Sequence, residues 1–414
     1  KARNKYVYYI EKPHPKEDNV YYNFKDLVDA MNVNKNGTFK IGADLNATSV
    51  PTPMKWYVDG DFKGTLKSVE GKHYTIHNTE RPLFKNIIGG TVTKINLGNV
   101  NINMPWADRI APIAETIKGG AKIEDVKVTG NVLGKNWVSG FIDKIDNQGT
   151  LRNVAFIGNV TAVGDGGQYL TGIVGENWKG LVEKAYVNAN LIGNKAKAAG
   201  IAYSSQNGGD NGAVSRDGAI KKSVAKGTIK VAKPIENGGV VGSLKHHGSV
   251  EDSVSMMKVS NGEIFYGSSD IDYDDGYWTG NNVKRNYVVV DVSEGNSSYQ
   301  RSKDKNRIKP ISEEEAKSKI EATGITADKY EINEPVVNRL NRLTRKEDEY
   351  KSTQDYKVDR DQAYRNIEKL QPFYNKEWIV NQGNKLAEDS NLAKKEVLSV
   401  TGMKDGQFVT DLSD

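Results

Sequence analysis

The feature that most constrains this chain is a repeat running from Gly90 to Asn261. Aligned in register, its segments start at the aliphatic residues Val92, Ile123, Leu151, Val182, Ile220 and Val250, spaced by 31, 28, 31, 38 and 30 residues. A period near thirty is the mark of a solenoid, in which each repeat buries its apolar face only against its neighbours. Between these anchors a second signal recurs, a Gly followed by apolar residues: Gly140-Phe141-Ile142, Gly172-Ile173-Val174-Gly175, Gly200-Ile201-Ala202 and Gly239-Val240-Val241-Gly242. The surplus of the longest repeat falls between Gly200 and Ile220, so it is expected to be a protruding loop.

Within each repeat apolar and polar residues alternate, as at Ile123, Val126, Val128 and Val132, and β-branched residues outnumber helix formers. That is strand periodicity. Asn and Gly at the segment ends supply the corners between short strands. The expected fold is mainly β: a right-handed parallel β-helix solenoid with an N-terminal capping helix and a C-terminal α-helical region.

The flanks are expected to divide as follows. Residues 1–36 hold an alternating aromatic strand and a helix in which Phe24, Leu27, Val28 and Met31 share one face behind Asn23 as N-cap. A solenoid has an open apolar end, and this helix is assigned to cover it. Residues 37–295 are the β-helix, its first coils to Ile102 less regular, and residues 296–310 are a polar linker. Residues 311–414 are a helical connector. It opens with a capping box at Ser312 and Glu315 and a stop at Gly324, and continues with helices near 361–370, 375–386 and 391–400.

Composition narrows the chemistry. Cysteine is absent, which removes disulfides and thiol catalysis and leaves the compartment open. The 58 basic and 53 acidic residues give a net charge of +5 spread over a mixed surface, without the basic patch that nucleic acid requires. No apolar run is long enough for membrane insertion. The chain starts at Lys1 with no signal segment, as a fragment of a longer protein would.

The Gly-aliphatic-aliphatic-Gly repeats resemble those of Gram-positive surface proteins. Taken with PLFKNI at Pro82, INLGNVNI at Ile95 and AYRNIEKLQPFYNKEWIVNQGNKL from Ala363 to Leu386, the chain resembles the region preceding the protease domain in streptococcal immunoglobulin-A proteases and their paralogous surface zinc metalloproteases. The resemblance covers nearly the whole chain, and its most specific part is the run ending at Leu386. It implies a secreted protein of the Gram-positive cell wall and a partner that is host immunoglobulin A or another host glycoprotein. It also implies a zinc-binding catalytic domain lying beyond Asp414.

That zinc chemistry needs a His-Glu-x-x-His helix. None of the five histidines here is followed by Glu, and His73 and His77 lie on an alternating strand as two surface residues, so no cofactor is expected in this chain. Asp270, Asp272, Asp274 and Asp275 followed by Gly276 approach a calcium loop, but Asp275 and Asn281 stand where such a loop carries Gly and Glu. A weak calcium site and a solvated acidic turn both fit.

What remains is recognition. Asp146, Trp178, Gln206 and Lys245 each follow their motif Gly by six residues and should stack on one corner, with His246 and His247 beside it. Trp178, Lys245, His246 and His247 are therefore candidate substrate-binding residues, with Trp137, Trp106, Tyr277 and Trp278 as further candidates on presumed loops. The functional expectation is a non-catalytic region that positions a folded substrate for its own catalytic domain. The alternatives are a stand-alone adhesin module or a passive spacer, with a β-helix polysaccharide lyase last. The recurring Lys94, Lys127, Lys184 and Lys222 beside acidic residues read as a salt-bridged solvent face.

Overall fold

A computed structural model describes residues 17–52, 54–206, 219–244, 248–269, 283–301 and 307–333. It also describes the short strands Tyr6–Tyr8, Leu398–Val400, Gly402–Lys404 and Gln407–Val409. The chain divides into two compact units, residues 18–332 and residues 1–17 with 333–414. In the second unit Tyr6–Tyr8 pairs antiparallel with Leu398–Val400, and Gly402–Lys404 with Gln407–Val409. The last three residues of the helix expected over 391–400 are thus a strand. The helices expected near 361–370 and 375–386 lie outside the described residues.

The unit 18–332 is a parallel β-solenoid. Eight strands form its short sheet, one per coil, beginning with Val58–Phe62 and ending with Tyr266–Ser269. A twenty-stranded sheet wraps the rest among the described residues; its pairings are parallel and in register from coil to coil, apart from shifts between Val128 and Gly130 and between Lys258 and Glu263. The long strands Thr91–Asn103, Ala121–Gly134, Gly149–Ala162 and Leu181–Ala199 each fold near their start at a residue in the left-handed region. Those corner residues are Lys94, Asp125, Asn153 and Lys184, and Lys222, Asp252 and Arg285 continue the column with φ between 49 and 56°. Because one residue turns the corner, the inward positions there step by three rather than two: Val92 to Ile95, Ile123 to Val126, Leu151 to Val154. All six of these are fully buried.

The motif glycines have a steric cause. A Cβ on Gly172 would lie 2.4 Å from the carbonyl oxygen of Gly200 on the next coil. One on Gly242 would lie 2.5 Å from the ring of Tyr203. Successive coils therefore approach closely at the first glycine, and at the second either the backbone of the preceding coil, as Asp143 at Gly175, or a side chain, as Tyr203 at Gly242, fills the space.

Helix α1, Phe24–Val33, starts at Asn23, whose side chain accepts from the Asp26 amide at 3.1 Å. Its buried face, Phe24, Leu27, Val28 and Met31, is the expected one. Asn32 satisfies the exposed backbone of the first short-sheet strand region: its Nδ2 donates to the Tyr57 carbonyl at 2.9 Å, and its Oδ1 accepts from the Asp59 amide at 3.3 Å. Capping here means that apolar surface and unpaired backbone are covered by the same helix. The first coils pair in sequence through Thr38–Ile41, Thr65–Ser68 and Thr91–Asn103, and the irregularity expected of them shows in the short sheet, where the register of Val58–Phe62 on Phe84–Ile88 shifts between Val58 and Asp61.

The C-terminal end also differs from the sequence reading. Ile308–Ile311, within and just past the expected linker, pairs in parallel with Asn286–Val289 and extends the solenoid. Helix α2, Glu313–Ala322, follows with both halves of its capping box formed between Ser312 and Glu315. Of the loop expected over 204–218, residues 204–206 end the strand Ala202–Gln206 and residues 207–218 lie outside the described residues.

Candidate binding flank of the solenoid

Three residues before each motif glycine stands a residue whose side chain lines one flank of the solenoid. Arg109, Trp137, Tyr169 and Lys197 occupy equivalent rungs: Arg109 pairs with Trp137, Trp137 with Tyr169, and Tyr169 with Lys197. Parallel strands stand about 4.8 Å apart, so these side chains meet face to face. The Trp137 and Tyr169 rings stack with centroids 3.4 Å apart and planes 15° from parallel. The Arg109 guanidinium covers the other face of Trp137 at 4.1 Å. Lys197 Nζ lies 5.4 Å from Tyr169 and 5.3 Å from Tyr203, whose ring meets Tyr169 edge-on at 5.0 Å. Cations over aromatic faces hold the stack rigid and leave its ring edges outward.

The stack is anchored by a carboxylate. Arg109 Nη1 donates to Asp143 Oδ2 at 2.8 Å, and the Asp143 side chain is 2% exposed while that of Arg109 is 36% exposed. Burial pushes the Asp143 carboxyl up to about 7, against the lowering effect of Arg109. At the far end Tyr203 donates to Glu236 Oε2 at 3.3 Å, and Ser268 donates to the same oxygen at 3.0 Å. Burial, reinforced by Glu236, raises the Tyr203 phenol and keeps it a donor.

At its N-terminal end the flank opens into a groove of about 540 Å³ lined by Thr52, Met54, Lys55, Arg81, Trp106 and Asp108, among others. Trp106 is 66% exposed and Met54 55% exposed, two large apolar side chains facing water in one depression. Burial lowers the Lys55 amine, which sits 3.9 Å from Glu115. Asp108 joins groove to stack: its side chain accepts from Asn136 at 2.6 Å, and its carbonyl from the Trp137 amide at 2.7 Å. Exposed apolar anchors beside an ordered polar rim are the anatomy of a protein-binding patch.

The sequence candidates separate accordingly. Trp106 and Trp137 fall on this flank, three residues and one rung from Arg109 respectively. Trp178 does not: it stands at the other end of the short sheet, 37% exposed, in register with Lys118, Asp146 and Gln206. Lys245, His246, His247, Tyr277, Trp278 and the acidic cluster Asp270, Asp272, Asp274 and Asp275 lie outside the described residues. His77, expected at the surface, is buried at 3% exposure, and His73 is half-covered by the Tyr330 ring at 4.2 Å. The recurring lysines divide as well. Lys94, Lys184 and Lys222 are corner residues, and the ion pairs of this region join Arg152 to Glu124 at 2.9 Å and to Glu183 at 3.3 Å. Arg109, Tyr169, Lys197, Tyr203 and Asp143 are absent from the sequence candidates. Counting back three from each motif glycine finds Trp137, Tyr169, Lys197 and Glu236 directly.

Among the described residues no three His, Asp or Glu side chains come together as metal ligands, and no helix is long and apolar enough to cross a membrane. Residues 1–130 match the family model described as the M26 IgA1-specific metallo-endopeptidase N-terminal region. Over its full length the chain is 39% identical to zinc metalloprotease ZmpB of Streptococcus pneumoniae, covering 21% of that protein. Across 99% of its length it is 33% identical to an immunoglobulin A1 protease of Streptococcus pneumoniae, again covering 21% of that protein. The chain thus spans about a fifth of the length of these curated relatives. A solved structure titled IgA1 Protease superposes on 67% of the chain and 22% of its own length, with a TM-score of 0.55 at 25% identity.

Proposed function

We propose that this chain, whose residues 1–130 match the N-terminal region of M26 IgA1-specific metallo-endopeptidases and which is similar throughout to streptococcal zinc metalloproteases, is a non-catalytic region that holds a substrate against the catalytic part of a secreted, cell-surface zinc protease. In this reading the substrate is immunoglobulin A1 or a related host glycoprotein, and the zinc belongs to the catalytic part. The observation that carries the proposal is the flank of Trp106 and Trp137. A rigid aromatic stack and a groove with two exposed apolar anchors offer a preformed surface, which loses little side-chain entropy on binding. Holding the substrate near the catalytic site raises its local concentration without any chemistry in this chain.

The test is binding of the chain to immobilised immunoglobulin A1, with immunoglobulin G as control. We expect selective binding that weakens about tenfold or more in Trp106→Ala, the loss of an interface anchor, while Trp178→Ala stays near wild type. Loss in Trp178→Ala alone would move the contact surface to the opposite end of the short sheet. Absence of binding to either immunoglobulin would overturn substrate positioning and leave an adhesin for another ligand or a spacer of eight coils.

A further inference from the structure

Outward positions of a solenoid are polar where water covers them. One outward column departs from this halfway along. It runs in register through Thr75, Asn96, Lys127, Ala155, Tyr186, Val224, Val254 and Tyr287. Its first part is polar and its second part is aromatic and aliphatic. The inward neighbours are reversed to match: Ser223 and Ser253 are fully buried, Ser223 accepting from the Ala185 amide at 3.2 Å and Ser253 from the Ser223 amide at 3.2 Å.

The chain covers this column itself. After Ile311 it turns back, and α2 with the residues after it run along the column toward the N-terminal coils. Ala316, Ile320 and Ile325 close over Val224, Val254 and Val289 in an apolar cluster separate from the solenoid core. From Thr326 onward most contacts are polar, beside the buried Ala327 and the Tyr330 ring, which lies 4.2 Å from that of His73. Asn153 Oδ1 accepts from the amides of Thr326 at 2.9 Å and Ala327 at 3.0 Å. Its Nδ2 lies 2.7 Å from Thr326 Oγ1 and 2.9 Å from the Tyr330 hydroxyl. Lys127 donates to the carbonyls of Asp328 at 2.8 Å and Tyr330 at 2.9 Å. Ile332 ends the strap against Gly98, where an added Cβ would lie 2.6 Å from its side chain.

We infer that this strap is a two-part latch. The helical half stays docked through its apolar cluster, while residues 326–332 open and close over the polar half of the column as a unit, with Asn153 as the catch. The reason is the difference in what holds each half. Releasing the helical half exposes apolar surface to water, whereas most bonds of the terminal half are exchanged for bonds to water at small net cost. Segments held by few apolar contacts open first. Seven released residues span up to about 24 Å when extended, so the latch sets where the chain leaves the solenoid at Ile332.

Native-state hydrogen exchange on the full chain tests this. The amides of Thr326 and Ala327, bonded to Asn153 rather than to the sheet, should exchange at least about 100-fold faster than those of Val126 and Val154. Tyr330→Phe removes one hydroxyl from Asp125 and Asn153 without altering the solenoid, and should raise exchange at Thr326 and Ala327 a further three- to tenfold. Asn153→Ala should do the same more strongly, but it also strains a corner at φ 53. Tyr330→Phe is therefore the deciding variant. The latch is overturned if Thr326 and Ala327 exchange together with the solenoid strands, or if Tyr330→Phe leaves their exchange unchanged.

Discussion

Removing Arg109 should make the stability of the solenoid depend on pH in a way the wild type does not. In the native protein the Asp143 carboxyl is buried and pushed up to about 7, above the value near 3.9 of an unfolded Asp. A folded value above the unfolded one gives stability that is whole below about pH 4 and is lost as pH rises to about 7, at about 1.4 kcal/mol per pH unit for one proton. In the wild type that loss stops near pH 7, because Arg109 then pairs with the carboxylate at 2.8 Å. Arg109→Ala takes the counter-charge away, so Asp143 holds its proton to higher pH and the loss continues. Stripping one partner from a buried pair costs about 3–5 kcal/mol. Here protonation caps the cost, so we expect about 1–3 kcal/mol near pH 9 and under about 1 kcal/mol near pH 5. Urea unfolding at both pH values measures it, and Arg109→Ala/Asp143→Asn should flatten the difference. An equal loss at pH 5 and pH 9 would show that Asp143 stays ionised throughout and refute the reasoning.

Three other outcomes are expected. Gly172→Ala forces a Cβ to within 2.4 Å of the Gly200 carbonyl oxygen and should cost about 1–3 kcal/mol or more in urea unfolding. Gly166→Ala, with nothing within 4 Å of the added atom, should stay within about 0.5 kcal/mol of wild type. Immunoglobulin A1 incubated with the chain and added Zn²⁺ should remain intact by gel electrophoresis, since no histidine of the sequence begins a His-Glu-x-x-His motif. Cleavage products would contradict the non-catalytic assignment.

The solenoid was legible because its repeat is carried by burial. Val92, Ile123, Leu151, Val182, Ile220 and Val250 sit at one inward position of successive coils, and all are fully buried. The capping helix and the box at Ser312 and Glu315 were legible for a local reason: each is set by residues within one helical turn. The flank was only half legible. Tryptophans on loops mark themselves as candidates one at a time, so Trp106 and Trp137 ranked behind Trp178, which the spacing from the motif glycines placed on a shared corner. What groups the first two is a cross-coil relation, the column of Arg109, Trp137, Tyr169 and Lys197, whose last three members show when the repeats are aligned on the position three residues before the motif glycine.

The strap was missed for a different reason, and its signal was present. Alternation places the apolar member of a Ser-Val pair inside, yet at Ser223-Val224 and Ser253-Val254 the corner residue just before shifts the phase by one. The serines turn inward and the valines outward. Two outward valines flanked in register by Tyr186 and Tyr287 would leave a continuous apolar strip in water. A solenoid that repeats this on neighbouring coils must be covered there, and Ala316, Ile320 and Ile325 cover it. The modest apolar face of α2 therefore reflects the narrowness of the strip beneath it, at most two residues wide per coil as at Val254 and Met256 or Tyr287 and Val289, and the hydrogen bonds to Asn153 and Lys127 begin where that strip ends.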